Sequence, residues 1–315
     1  MTVDLLSRRL LFVTGKGGTG KTSVTAALSL LAAQRGAKVL ACEVDAKGDL
    51  SDFYESAPVG FRPREVQPRL FAMAMNTEES LQEYLRLQLR LPVITRIGPL
   101  ARAFDFVATA APGVREILTV GKLAYEVRER HYDLVVTDGA ASGHVIGQLA
   151  APRAIDDLVR VGPVHHQTGW MLDILGDPAV TGVVVVTTPE EMPVNETIEL
   201  VGRMRRETDV DVAAIVVNRV LPELFSHSDE ELFERLREPE LTAVMAEKAG
   251  GPVDKVFEAA RLAVTLRRTR AGHLERLIDA VGDTPLLFVP YLFARGHGLR
   301  TTAQTAEALS AELGY

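Results

Sequence analysis

The sequence predicts an α/β protein with a doubly wound, mostly parallel sheet of about seven or eight strands. Short, almost wholly apolar segments recur along the chain, and segments of helical period lie between them. Continuous apolarity is typical of strands that helices cover on both faces, as in parallel sheets. Regular alternation of such strands with helices indicates a doubly wound fold. The predicted strands are residues 10–14, 38–44, 70–75, 133–137, 181–187, 212–217 and 286–289.

Helical patterns fill the intervals between these strands. In residues 114–130, for example, the apolar positions fall on roughly one face of a helix. Two intervals, about 77–130 and 222–280, are longer than one crossover requires, so we expect helical subdomain insertions there. No internal repeat or low-complexity linker divides the chain, and we expect a single domain over residues 1–315. The other predicted helices are residues 21–34, 190–208 and 253–280.

Composition argues against several classes of protein. A formal net charge of −7 and a pI near 5.6 provide no basic surface for nucleic acid or an anionic membrane. The one cysteine, Cys42, cannot by itself build a zinc site or an iron–sulfur cluster. No segment approaches the roughly 20 apolar residues of a membrane helix, and the N-terminal apolar run is too short for a signal peptide. We therefore expect a cytoplasmic protein.

A glycine-rich segment follows the first predicted strand and opens the first predicted helix. Its sequence, GKGGTGKT, matches the phosphate-loop motif G-x-x-x-x-G-K-[ST]. In such a loop the backbone N–H groups and the helix N-terminus point at phosphate oxygens. We expect Lys21 to bridge the β- and γ-phosphates of ATP and the Thr22 hydroxyl to ligate Mg²⁺. The predicted nucleotide-binding residues here are Gly15, Lys16, Gly17, Gly18, Thr19, Gly20, Lys21, Thr22 and Ser23.

The additional lysine of this loop, Lys16, turns the motif into KGGTGKT. This sequence resembles the deviant phosphate loop of the MinD, ParA, nitrogenase iron protein and ArsA families. The resemblance implies that Lys16 crosses a dimer interface and touches the nucleotide of the partner; the alternative is a solvated loop lysine. A cation supplied in trans stabilises the transferring phosphoryl group only when the dimer is closed. The loop therefore predicts a dimer as well as a nucleotide.

Two later segments narrow the resemblance to the ArsA-type ATPases. The sequence DAKGDLSD at 45–52 resembles the DPAHNLSD of switch I in that family, which gives Asp45 the role of holding the attacking water. The sequence DGAASGH at 138–144 resembles switch II, DTAPTGH, which makes Asp138 a magnesium partner acting through water. The alternative for Asp45 is a capping residue of a turn or helix. His144 is either a sensor of the switch state or an ordinary packed histidine.

The same resemblance assigns the residues around the base. Asn218 ends a predicted strand and corresponds to the asparagine that recognises adenine, whose edge suits an amide that donates and accepts. The alternative for Asn218 is a turn residue. The sequence VPYLFARG at 289–296 is similar to the PYEVRG loop beside the base, which adds Pro290 and Arg295. The resemblance extends over residues 10–296, with the tail-anchored protein targeting ATPase as a relative. The sequences FVATAAPG at 106–113 and GPVH at 162–165 resemble more particularly the actinobacterial single-domain members.

The resemblance implies Mg²⁺-dependent ATP hydrolysis in a dimer that holds nucleotides at its interface and couples their state to conformational change and partner binding. One alternative is a nucleotide-gated binding protein with slow or vestigial hydrolysis. A MinD- or ParA-like positioning ATPase fits the sequence less well. Such a protein would have a basic surface or a membrane-binding C-terminal helix, and residues 299–315 have no basic amphipathic face. Homodimer and heterodimer with a paralogue both remain open, since the actinobacterial members often occur as paired paralogues.

The sequence says least about whether the protein carries an anion or binds a client protein. Arsenite extrusion is not expected, because the metalloid site of the pump subunit uses cysteine thiolates and this chain has one cysteine. The apolar residues between 85 and 107 either line a groove for a client or form core, and the client or membrane partner stays unknown.

Overall fold

The computed structural model describes residues 4–45, 49–89, 113–158, 161, 163–223, 227–294 and 296–315. Within these ranges eight strands form one sheet. They are β1 (Leu10–Gly15), β2 (Val39–Glu43), β3 (Arg64–Gln67), β4 (Leu70–Ala74), β5 (Leu134–Ala141), β6 (Thr181–Thr187), β7 (Val212–Val220) and β8 (Leu286–Pro290). Their order is β3-β4-β2-β5-β1-β6-β7-β8, and every neighbouring pair is parallel except β3 and β4.

The predicted fold class is confirmed, and each of the seven predicted strands is present. The strand that the sequence did not predict is β3, which reads REVQ and lies at the edge of the sheet with its first two residues exposed. It was missed because an exposed edge strand is not buried on both faces and therefore needs no run of apolar residues.

Helices occupy the intervals between the strands. They are α1 (Lys21–Gln34), α2 (Asp49–Phe53), α3 (Thr77–Leu89), α4 (Val114–Arg128), α5 (Ser142–Leu158), α6 (Pro163–Gly176), α7 (Glu191–Glu207), α8 (His227–Leu236), α9 (Pro239–Ala249), α10 (Asp254–Val281) and α11 (Leu299–Glu312). The predicted helix at 21–34 matches α1 at both ends, and the other predicted helices agree with the structure to within two residues. The described parts of the two long intervals consist largely of helices.

Two hydrophobic cores cover the two faces of the sheet. Successive residues of a strand point to opposite faces, so β1 contributes to both cores. Leu11 and Val13 join a core with α1 and α11, whereas Leu10 and Phe12 join a core with α4, α5, α7 and α10. This double coverage explains why the strands read as continuous apolar runs.

The one cysteine lies within β2, as the sequence predicted. Cys42 is fully buried, and burial raises the pKa of its thiol to about 12. The thiolate, which is the form that binds metalloids and metals, is therefore a minor species at neutral pH.

No helix of the described residues is both long enough and apolar enough to cross a membrane. Most of the apolar residues considered for a client groove lie within 90–112, outside the described residues.

Candidate functional site

The glycine-rich loop joins β1 to α1 in the middle of the sheet. Gly15 ends β1 with a φ of 147°, and a Cβ at this position would overlap the carbonyl oxygen of Val186 on β6. Gly20 precedes α1 with a φ of 96° in the left-handed region. Gly17 and Gly18, in contrast, have open space where a Cβ would stand. The loop is thus closely packed at its two ends, Gly15 and Gly20, and has open space for a ligand at Gly17 and Gly18.

This packing leads to a prediction about Gly15. Replacing Gly15 by alanine is expected to lower the free energy of unfolding by about 2 kcal/mol, because the new Cβ meets backbone in a strained conformation. Gly17→Ala is the matched control and is expected to change stability by less than about 0.5 kcal/mol, because nothing lies near its Cβ position. Urea unfolding measures both variants. Equal losses in the two would contradict this account of the loop.

The first turn of α1 is tied to the end of β5 by a short hydrogen bond. The Thr22 hydroxyl donates to Oδ2 of Asp138 at 2.7 Å. The other carboxylate oxygen, Oδ1, is buried and has no hydrogen-bond partner among the residues that the structure describes. A buried polar atom without a partner is costly, so it marks a place where a water or an ion would bind favourably.

The ionisation of Asp138 reflects its surroundings. Burial raises the pKa of this carboxyl to about 6, although the hydrogen bond from Thr22 and the charge of Lys21 lower it. The neighbouring acidic groups Glu43 and Asp49 also contribute to this rise, though less than burial does. A divalent cation beside Oδ1 would favour the ionised form, because opposite charge stabilises the carboxylate. The hydroxyl of Thr22 and the carboxylate of Asp138 thus fit a Mg²⁺ ion held partly through water.

Glu43 is an acidic residue at this site that the sequence analysis missed. It ends β2, is 2% exposed, and lies beside Asp138 in the register of β2 and β5. Its Oε1 accepts a hydrogen bond from the backbone N–H of Asp49 at 3.1 Å. The available signal was an acidic residue closing an otherwise apolar run, and it was overlooked because Asp45 matched the family motif two positions later.

An open cleft of about 1520 Å³, its mouth included, extends from the glycine loop. Gly17, Gly18, Lys21 and Thr22 line it. Residues of α2 and of the segment after it also line it, namely Asp49, Ser51, Asp52, Phe53, Glu55 and Ser56. The glycines, the lysine and the N-terminus of α1 give this cleft the groups that bind phosphates.

Asp45 is not among the residues that line this cleft. Its carboxylate pairs with the guanidinium of Arg115 on α4 at 3.2 Å, and both side chains are about half exposed. The acidic residues of the same segment that do reach the cleft wall are Asp49 and Asp52. The structure therefore brings Thr22 and Asp138 together, whereas Asp45 pairs with Arg115 and does not line the cleft.

Lys16 also has a partner outside the loop. Its ammonium pairs with the carboxylate of Glu196 on α7. The carbonyl oxygen of Lys16 accepts a hydrogen bond from the Thr19 hydroxyl at 2.9 Å, which fixes the backbone of the loop while the side chain extends away.

A second cleft, of about 890 Å³, continues from the first. Asn218, Pro290 and the residues that follow Pro290 line it, and Ser23 and His297 line both clefts. The ring of His297 stands 5.1 Å from that of Phe53 between centroids. Two connected clefts of this kind suit a ligand with a charged end and a planar end.

The amide of Asn218 is engaged within the protein in this structure. Its Nδ2 donates to the carbonyl oxygen of Thr19 at 2.8 Å, and its Oδ1 accepts from the backbone N–H of Arg219 at 2.9 Å. Asn218 therefore supports the glycine loop directly. Arg295 lies outside the described residues. His144 is exposed in the first turn of α5, which does not fit a packed core histidine.

The chain is similar in sequence to several proteins that are named ATPases. ATPase BagA of Mycobacterium tuberculosis is 31% identical over 225 residues, which cover 68% of this chain and 66% of BagA. ATPase GET3 of Podospora anserina is 25% identical over 256 residues, covering 70% of this chain and 75% of GET3. An ATPase ASNA1 homolog of Entamoeba dispar is 26% identical over 254 residues, covering 67% of this chain and 76% of that protein.

The family assignment follows from a broader match. The chain spans 66% of the length of the mycobacterial relative, slightly less than two thirds. The family model described as anion-transporting ATPase matches residues 8–167 and 162–246, which is well over half of the chain. This match includes the glycine loop, the Thr22–Asp138 pair and Asn218, and it confirms the resemblance drawn from the sequence. The chain belongs to the anion-transporting ATPase family.

Proposed function

We propose that this chain binds Mg²⁺ and ATP and hydrolyses the ATP between two copies of itself, so that the nucleotide state controls conformation and partner binding. The observation that carries the proposal is the foot of the glycine loop, where Thr22 donates to a buried Asp138 whose second oxygen has no partner among the described residues. This arrangement provides the metal side of a phosphate site. The connected cleft beside Asn218 and Pro290 provides room for the base.

Each wall of the site has a role in this proposal. The backbone N–H groups at Gly17 and Gly18, together with the N-terminus of α1, hold the phosphate oxygens. Lys21 bridges the β- and γ-phosphates, and Thr22 and Asp138 hold the metal. Mg²⁺, when bound, neutralises charge that develops on the phosphates. The buried Oδ1 of Asp138, which lacks another partner among the described residues, would help to hold the metal through water.

Two residues act on the reacting phosphate. Lys16 extends from the loop and, in a closed dimer, places its ammonium beside the nucleotide of the other copy. Asp45 holds the attacking water once its pair with Arg115 has opened, because that pair keeps the carboxylate out of the cleft wall. An exposed ion pair of this kind costs little to separate, on the order of 1 kcal/mol or less.

A second candidate function is a nucleotide-gated binding protein with slow hydrolysis. The observation in its favour is the position of Asp45, which stands in an ion pair with Arg115 and does not line the cleft. If this pair persisted with nucleotide bound, water would lack its positioning group and turnover would be slow.

Native mass measurement combined with a phosphate-release assay tests the proposal. We expect the mass to double from 34.3 kDa when Mg²⁺ and a slowly hydrolysed ATP analogue are added, and to stay single with ADP or with chelator. Under the same conditions ATP itself is expected to release phosphate. Doubling without phosphate release would favour the second candidate function. A chain that stays single and releases no phosphate at saturating ATP would contradict both.

A further inference from the structure

The partner of Lys16 connects three elements of the site. The ammonium of Lys16, in the glycine loop, pairs with Oε1 of Glu196 on α7. The other oxygen of Glu196 lies 3.5 Å from the hydroxyl of Ser142, which is long for a hydrogen bond but within reach. Ser142 begins α5 directly after β5, the strand that carries Asp138. Glu196 thus touches both the loop lysine and the segment that follows the metal-facing carboxylate.

This pair is placed where it can exchange with another anion. The side chains of Lys16 and Glu196 are 26% and 37% exposed, so water reaches both and neither is committed to the core. Measured ion pairs of such exposure favour the paired state by a factor of only about 1.4 to 5. A triphosphate carries more negative charge than one carboxylate, so it can displace Glu196 when it comes within reach.

We propose that Glu196 is a latch on Lys16: it holds the lysine within its own subunit and releases it only to the triphosphate of a second copy. The inference rests on the proposed function, because it requires Lys16 to act across a dimer. While the pair is closed, Lys16 is unavailable to a partner. Each closed dimer breaks two such pairs, and the latch therefore opposes dimer formation until nucleotide is bound on both sides.

Its contact with Ser142 gives the latch a connection to the nucleotide of its own subunit. A shift of β5 on binding at Asp138 would move Ser142 and, with it, the surroundings of Glu196. Glu196 is therefore a positioning residue, since it acts through Lys16 and does not itself touch the phosphates.

The test is a comparison of Glu196→Gln with Glu199→Gln. Glu199 is exposed on the same helix about one turn away, so its substitution removes the same charge without touching Lys16. Sedimentation equilibrium with Mg²⁺ and a slowly hydrolysed ATP analogue gives the dimer dissociation constant. Glu196→Gln is expected to lower that constant by about 2- to 25-fold, because two pairs of the stated strength no longer need to break. Glu199→Gln is expected to match the wild type within about twofold.

Misfolded chains can also associate, but their association does not depend on nucleotide, so only a gain that requires Mg²⁺ and the ATP analogue supports the latch. In a chain that already carries Lys16→Ala, the addition of Glu196→Gln is expected to give no gain. If the wild type dimerises and Glu196→Gln behaves like Glu199→Gln, or weakens the dimer, the latch is overturned while the proposed function stands. If none of the variants dimerises with nucleotide, both are overturned.

Discussion

Lys16→Ala is expected to lower the rate of ATP hydrolysis by on the order of 10³-fold, because the reacting phosphate then lacks the cation supplied by the partner copy. Binding of ATP is expected to change little, since Lys21, Thr22 and the glycine backbone remain. Steady-state phosphate release and equilibrium nucleotide binding, measured on the same preparation, separate the two effects. A rate equal to that of the wild type would show that Lys16 does not act on the phosphate.

A mixing experiment shows whether Lys16 acts in trans. Lys21→Ala subunits are expected to bind ATP poorly yet still to offer their Lys16 to a partner. Neither Lys16→Ala nor Lys21→Ala should hydrolyse ATP alone, but their mixed dimer should, because it has one working site that combines Lys21 of one subunit with Lys16 of the other. The recovered rate is expected to rise with the fraction of mixed dimer, up to half of the wild-type rate per dimer. No recovery, with mixed dimers shown by mass, would place Lys16 in its own subunit's site.

Asp45→Asn is expected to lower the hydrolysis rate by about 10²- to 10⁴-fold, because an amide cannot accept the proton of the attacking water. The affinity for ATP is expected to change by less than about threefold, since Asp45 does not line the cleft. Single-turnover hydrolysis measures the chemical step and equilibrium binding measures the affinity.

Asp52→Asn is the matched control for this prediction. Asp52 belongs to the same segment and lies in the cleft wall, whereas Asp45 pairs with Arg115. The proposed function predicts that Asp45→Asn loses far more activity than Asp52→Asn. The reverse order would transfer the water-holding role to Asp52 and would mean that the pair of Asp45 with Arg115 persists with nucleotide bound.

The main residues of the site differ in how well the sequence revealed them. The glycine loop and Asp138 were selected because each belongs to a short motif that directly follows an apolar strand. Glu43 was missed although it lies next to Asp138, since the neighbour relation belongs to the pairing of β2 with β5 and not to the chain order. The motif selected Asp45, whose role stays a prediction, but gave no sign of its partner Arg115, which is 70 residues away.

The sequence by itself determined the parallel α/β architecture, seven of the eight strands that the described residues form, both ends of α1 and the position of the phosphate loop. These features follow from local patterns, namely continuous apolarity, helical period and glycines that permit special backbone conformations. The tertiary structure alone decided the edge strand β3 and the pairing of Lys16 with Glu196 across 180 residues. The contact of Lys16 with Glu196 joins segments that only the fold brings together. Strand β3, in contrast, pairs with the adjacent β4, and its partly exposed residues form no apolar run that would have predicted it.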